Sequence, residues 1–286
     1  MSSTVTSPSW PLEPTAHPTA ELIQETWALT RRLLIQLQRR PATLVAGIIQ
    51  PLMWLILFGA LFQNAPSGFF SEGVNYAQFL SAGIIVFTAF SGALNAGLPV
   101  MFDREFGFLN RFLVAPLVSR FSIVLASTIF ITLLSLVQTV AVIFTSYLLG
   151  GGLPGVAGFF LVVGIVMLLV LGMTALSLGL TFTLPGHVEL LAVIFVVNLP
   201  LLFASTALAP LAFMPKWLQA IASINPLSYA IEPIRYLYLH PDWQLSGTVM
   251  ATPWGDLSLG GCLLILILFD GLIILSVRKS LQRKLS

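Results

Sequence analysis

Long apolar runs constrain this chain more than any other feature. Stretches at about 43–63, 77–100, 119–149, 156–183, 188–209 and 257–277 carry almost no charge. A bilayer core takes about 20 apolar residues as a helix, and backbone groups in hydrocarbon must find their partners internally. Only 8% of the residues are charged and 57% are hydrophobic, against roughly 25% charged in soluble domains. The expected class is an all-α polytopic membrane protein with six transmembrane helices. The third and fourth runs exceed a minimal crossing and must tilt or project. The turn Gly150-Gly151-Gly152-Leu153-Pro154 separates them, and Leu184-Pro185-Gly186-His187 separates the fourth run from the fifth.

Residues 1–19 are rich in Ser, Thr and Pro and read as a disordered tail. They lack the basic start and short apolar core of a signal peptide. Residues 20–40 have the period of an amphipathic helix. At about 100° per residue, Leu22, Ile23, Trp27, Leu33, Leu34 and Leu37 share one face. Glu21, Gln24, Glu25, Arg31, Arg32, Gln36 and Arg39 share the other. Trp27, Arg31 and Arg32 suit a cytoplasmic helix in the headgroup layer, and a helix packed on another protein has the same pattern. Residues 41–286 form the membrane domain.

Lys and Arg set the orientation. With the N-terminus in the cytoplasm, the inside segments hold 11 of the 13 basic residues, and only Lys216 and Arg235 fall outside. The positive-inside rule therefore places both termini in the cytoplasm. Residues 210–242 are apolar enough for a further crossing, but it would carry Asn225-Pro226, Glu232, Pro233 and Arg235 and reverse the basic C-terminal tail. The preferred reading is a re-entrant hairpin of two short helices before the last span. Asn225 caps the second, Pro226 occupies its first turn, and Glu232 pairs with Arg235 three residues on. Its backbone must pack on protein or line a cavity.

Several polar side chains interrupt the runs. Gln138, Asn198 and Asp270 are pathway candidates, because polar groups at membrane depth are costly and often functional. For Asp270 the competing account is an ion pair. For Asn198 it is satisfaction of backbone groups freed by Pro200, and for Gln138 and Asn95 it is helix-to-helix adhesion. No Ser-His pair, carboxylate pair or metal cluster converges, so no catalytic or metal residue is expected. The single cysteine, Cys262, excludes an intrachain disulfide. No phosphate-binding G-x-x-x-x-G-K-[ST] loop occurs, so the chain carries no ATP site of that kind. No nucleic-acid partner is expected.

One short charged island stands between the second and third runs, Met101 to Arg120, with Asp103, Arg104, Glu105, Arg111 and Arg120. Phe106, Leu109, Phe112 and Leu113 make one face apolar, and Pro116 ends the helix near Ala115. A surface helix fits this pattern, and so does a plain connecting loop.

Arg104-Glu105, Gly107-Phe108-Leu109, Leu113 and Ala115-Pro116 resemble the first cytoplasmic loop of ABC-2 type transport permeases. Phe108 stands where that family usually has Thr, and Asn110 where it has Glu. Asn225-Pro226-Leu227-Ser228-Tyr229 with Arg235 is similar to the segment before the family's last span. The likeness runs from about Glu21 to Arg278, and the drug-export branch looks nearest. It implies a half-transporter in the plasma membrane that moves an amphipathic or lipid-like substrate outward. Two copies, or this chain and a homologue, would join two copies of a separate ATPase that binds ATP and Mg. Arg104, Glu105, Gly107, Phe108, Leu109, Arg111 and Pro116 would form the coupling helix that docks on the ATPase. Asn225, Pro226, Tyr229, Glu232 and Arg235 would belong to an outer gate. The alternatives are an ion-gradient-driven transporter or an intramembrane enzyme built on Asp270 and Glu189.

Overall fold

A computed structural model describes residues 18–62, 76–107, 121–240 and 242–285. Its helices are α1 (Pro18–Gln38), α2 (Pro41–Leu61), α3 (Tyr76–Leu94), α4 (Gly97–Glu105), α5 (Phe121–Leu148), α6 (Val156–Thr183) and α7 (His187–Phe203). A 3-10 turn at Leu211–Phe213 leads to α8 (Lys216–Ile224) and α9 (Ser228–Leu239). Strands β1 (Thr248–Thr252) and β2 (Gly255–Ser258) form an antiparallel hairpin, and α10 (Leu259–Leu285) closes the chain.

Four helical stretches among the described residues are long and apolar enough to span a bilayer: Tyr76–Glu105, Leu125–Leu148, Val156–Thr183 and Leu259–Val277. The runs expected as the first and fifth spans give shorter apolar stretches, Val45–Leu61 and His187–Phe203. The second run is not one smooth rod. It breaks at Asn95-Ala96 and resumes as α4. Pro99 supplies no N–H for the carbonyl four residues back, so a helix running through this point would lose a bond. Asn95 donates to Ser91 O in its own helix, at 2.7 Å, so this contact joins no second helix.

α3 is the centre of the core. Phe79, Leu80, Ile84, Ile85, Val86 and Phe90 are buried in one continuous apolar cluster with residues of α5, α6, α9 and α10. Gly83 lets the backbone of Ala207 approach; an added Cβ would lie 2.6 Å from its carbonyl oxygen. α6 and α10 run parallel, since Gly172 faces Asp270 and Gly179 faces Val277, an equal step along both helices. α1 packs along α5, and its apolar face divides. Thr26 and Thr30 lie in the buried seam, each hydroxyl donating to the carbonyl four residues back. Ile23 and Trp27, the latter 62% exposed, look outward.

Asp103, Arg104 and Glu105 lie on α4, the continuation of the second run, which ends at Glu105; the surface helix expected to end near Ala115 falls on residues outside the described ones. Gly107 follows at φ 75°, the left-handed turn that ends a helix cleanly. Phe108, Leu109, Arg111 and Pro116 lie outside the described residues. The β-hairpin between α9 and α10 had no counterpart in the sequence reading.

Candidate functional site: two polar ends of the bundle

Polar contacts gather at opposite ends of the helices. At one end, α4 delivers three consecutive charges to three neighbours. Asp103 meets Arg32 of α1 at 3.3 Å. The Arg104 guanidinium donates to the carbonyls of Thr181 at 2.5 Å and of Leu184 and Pro185 at 2.6 Å each. The last carbonyls of a helix lack intrahelical partners and carry its negative dipole end. Arg104 therefore completes the C-terminus of α6.

Glu105 does the reverse for α7. Its carboxylate accepts the His187 backbone N–H at 2.5 Å and meets the ring Nδ1 at 2.5 Å. Gly186, the residue before α7, offers no capping side chain. An acid from another helix thus serves the positive N-terminus of α7. The His187 backbone bond holds the Glu105 carboxyl below its ordinary range, helped by the His187 side-chain bond and the charges of His187 and Arg104. Adjacent residues of opposite charge therefore staple both sides of the α6–α7 turn. Arg31 is exposed on α1.

At the other end stands Arg235 of α9, only 6% exposed. It donates to Glu232 Oε1 at 2.5 Å, to Thr206 O at 2.7 Å and, through Nε, to Phe79 O at 3.4 Å. Its Cζ lies 3.5 Å from the Phe79 ring centroid, a cation–π contact. One side chain thereby ties α9 to the start of α3 and to the segment after α7. Gln78 Nε2 donating to Tyr238 O at 3.2 Å adds a second tie.

Asn225 marks the break between α8 and α9. Its Oδ1 accepts the Leu227 N–H at 3.0 Å, and its Nδ2 donates to Leu201 O and Ala204 O, each at 2.7 Å. Contrary to expectation Asn225 does not cap α9, whose N-cap is Leu227, and Pro226 precedes the helix; Asn225 opens the turn that leads into α9 and satisfies carbonyls at the end of α7. Pro226 follows it in that turn, and Tyr229 donates its hydroxyl to Ser223 O.

The remaining polar candidates are scattered. Gln138 donates to Gly47 O at 2.8 Å and joins α5 to α2. Asn198 accepts from Ser91 Oγ at 3.1 Å; among its hydrogen bonds in the described residues none reaches a backbone group near Pro200. Asp270 is 4% exposed and packs against Gly172, and its Oδ2 finds no hydrogen-bond partner among the described residues. Those residues also give it no ion pair, so the expected basic partner is missing there. Three or more metal-ligating side chains do not cluster anywhere in the described residues.

The family model for the ABC-2 type transporter matches residues 24–239, which spans both polar ends. The chain belongs to the ABC-2 type transporter family. It is 58% identical to a putative transport permease, ycf38, of Porphyra purpurea, over 87% of this chain and 86% of that protein. The corresponding protein of Cyanophora paradoxa is 53% identical over 91% of this chain and 90% of its own length. A daunorubicin resistance ABC transporter permease protein, DrrB1, of Streptomyces coeruleorubidus is 28% identical over 72% of each chain. As an ABC-2 permease, this protein is the membrane subunit of a transporter, and such permeases generally work with a separate ATPase subunit.

The sequence singled out Arg104, Glu105, Glu232 and Arg235 and the pairing of the last two, which the structure shows, but not the other groups they hold. Thr181, Leu184, Pro185, Phe79 and Thr206 take part through backbone carbonyls, which leave no trace in residue type. His187 takes part mainly through its N–H. The one available signal was Gly186 before an apolar run, a helix start without a capping side chain of its own.

Proposed function

We propose that this permease exports an amphipathic or lipid-like substrate, driven by ATP hydrolysis on a separate ATPase. The observation that carries the reading is the staple at the α6–α7 turn. Arg104 and Glu105 stand where the chain leaves α4 for residues 108–120, and they grip the ends of two other helices. A partner that moves this loop moves α4, α6 and α7 together. Phe108, Leu109, Arg111 and Pro116 supply the docking surface, with aromatic anchors at its centre and charge at its rim. ATP and Mg bind on the ATPase, and its closure pulls the loops.

In this reading six helices cross the plasma membrane, with α2 and α7 as the shorter crossings and both termini cytoplasmic. α8 and α9 form the outer gate. Asn225 and Arg235 hold that gate against α7 and α3, and opening requires these contacts to yield. Two copies of the permease, or this chain and a homologue, enclose the pathway with two ATPase copies. The daunorubicin-resistance name of DrrB1 supports outward transport of a drug-like molecule.

The test is recovery of the partner. A tagged full-length permease with cysteine at Phe108 or Arg111, in a Cys262→Ser background, is purified from its native membrane with a thiol cross-linker. The expected product is a cross-link to a phosphate-loop ATPase. Cross-links to other proteins alone, with no such ATPase recovered, contradict the proposal.

A further inference from the structure

A furrow of about 240 Å³ lies between α1, the α3–α4 break and α5. Its walls are almost wholly apolar, with Gly92, Ala96, Ala126, Ile131 and Leu134 along its length. Asn95 and Ser127 also line it, and its charged members, Arg32 and Asp103, stand at the Glu105 end of the bundle. The furrow lies apart from the carbonyls held by Arg104 and Arg235.

Three properties define what fits it. The first is length. Along α3–α4 it runs from Gly92 to Asp103, and along α5 from Ile123 to Leu134. Each is 11 residue steps, or about 16 Å at the helical rise. That is about half of a bilayer's roughly 30 Å hydrocarbon core, the depth of one leaflet. The second is girth. The volume falls below the roughly 300–1,000 Å³ of drug-sized ligand sites, so it suits a single chain and not a ring system. The third is charge. The mouth carries one cation and one anion, Arg32 and Asp103, with side chains 38% and 24% exposed. The three hydrogen bonds between them are each 3.3 Å, longer than the roughly 2.7–2.9 Å of tight charge-assisted bonds. Bonds of this length can be exchanged for tighter ones to a head that bears both signs.

We propose that the furrow binds one acyl chain of a zwitterionic phospholipid, its phosphate on Arg32 and its ammonium on Asp103. The bound lipid fills the space under α1 and joins that helix to α3 and α5. Trp27, on the outward face of α1, lies in the same headgroup layer. The site needs neither ATP nor cargo, so its failure leaves the transport reading intact.

The experiment uses the full-length permease in phosphatidylethanolamine vesicles with a trace of phosphatidylethanolamine bearing a diazirine on its acyl chain. After photolysis, labelled residues are mapped by mass spectrometry. The expected adducts fall on 92–100 and 123–134. An added Cβ at Gly92 meets nothing nearer than Ser135 Oγ at 3.9 Å and Ile131 Cγ2 at 4.0 Å, so Gly92→Leu fills the furrow without a backbone clash. It should reduce furrow labelling about tenfold, the effect of displacing about two methylenes. Gly164→Leu, at a position with open space around it, should leave labelling unchanged. Arg32→Gln should reduce it about tenfold by loss of one charge-assisted contact, which keeps the test alive should Gly92→Leu fold poorly. Unlabelled phosphatidylethanolamine should compete better than diacylglycerol. Adducts confined to outward faces such as α2, furrow labelling unaffected by both variants, or equal competition by diacylglycerol would overturn the proposal.

Discussion

Arg104 and Arg235 do the same chemistry in opposite settings. Each guanidinium collects backbone carbonyls from other parts of the chain, and each neighbours a glutamate that matters to the same cluster. Arg235 is sealed under an aromatic ring and paired with a half-buried Glu232. Its field is poorly screened, and every partner it loses stays desolvated. Arg104 is half-exposed, next to an exposed Glu105, where water replaces lost contacts. The same residue type therefore pins one end of the bundle and leaves the other end able to shift. In the proposed mechanism that asymmetry has a use: the yielding end takes the pull of the motor, and the tight end carries the proposed gate.

The comparison breaks most directly at the tight end. Arg235→Leu strands Glu232 and leaves Thr206 O unpaired, and removal of one partner of a buried ion pair costs about 3–5 kcal/mol. Thermal unfolding of the solubilised protein should show it, and the double variant Arg235→Leu, Glu232→Leu should recover part of the loss. A single variant as stable as the parent would mean that the buried arginine is no anchor. The next largest effect belongs to the close approach beside it. Gly83→Val drives a side chain into the Ala207 backbone and should cost roughly 1–3 kcal/mol by overpacking; the same unfolding assay reads it.

At the yielding end effects shrink. Reversing the Arg32–Asp103 pair, with Arg32→Asp and Asp103→Arg together, should shift stability by no more than about 1 kcal/mol, as partly exposed pairs do. A larger loss would place this pair with Arg235. Glu105 gives the pH-dependent contrast. Its folded pKa is depressed, chiefly by the His187 N–H bond. Its contribution is therefore complete above the ordinary glutamate range and is lost as pH falls through the depressed value. Hydrogen exchange of the first turn of α7, corrected for intrinsic rate, should accelerate below that point, while α9 around Arg235 stays protected. Equal acceleration of both would remove the distinction between the two ends.

Helix existence was legible because apolar runs of this length have few other ways to satisfy their backbones. The bounds were less so. Pro99 breaks the second run inside a span that composition treats as continuous, and α4 carries that run on to Glu105, where the turn at Gly107 follows. The β-hairpin escaped because β1 and β2 have only 5 and 4 residues, too few for an alternating pattern to stand out. Arg104, Glu105 and Arg235 stood out as charges in an apolar chain. Their partners did not, because nearly all are main-chain groups. Asp270 shows the opposite case: its burial was legible, and its lack of an ion pair among the described residues was not.

The central claim is that motion at residues 103–116 reaches the spans through Arg104 and Glu105. Glu105→Arg tests it most directly, because it sets a cation against the N-terminus of α7 and leaves the apolar residues of the proposed docking surface unchanged. Substrate transport and ATP hydrolysis are measured in the same proteoliposomes, with the permease assembled on its ATPase. The account predicts an assembled complex that hydrolyses ATP while transport falls away. If both rates equal those of the parent complex, the loop is a connector and the account is wrong.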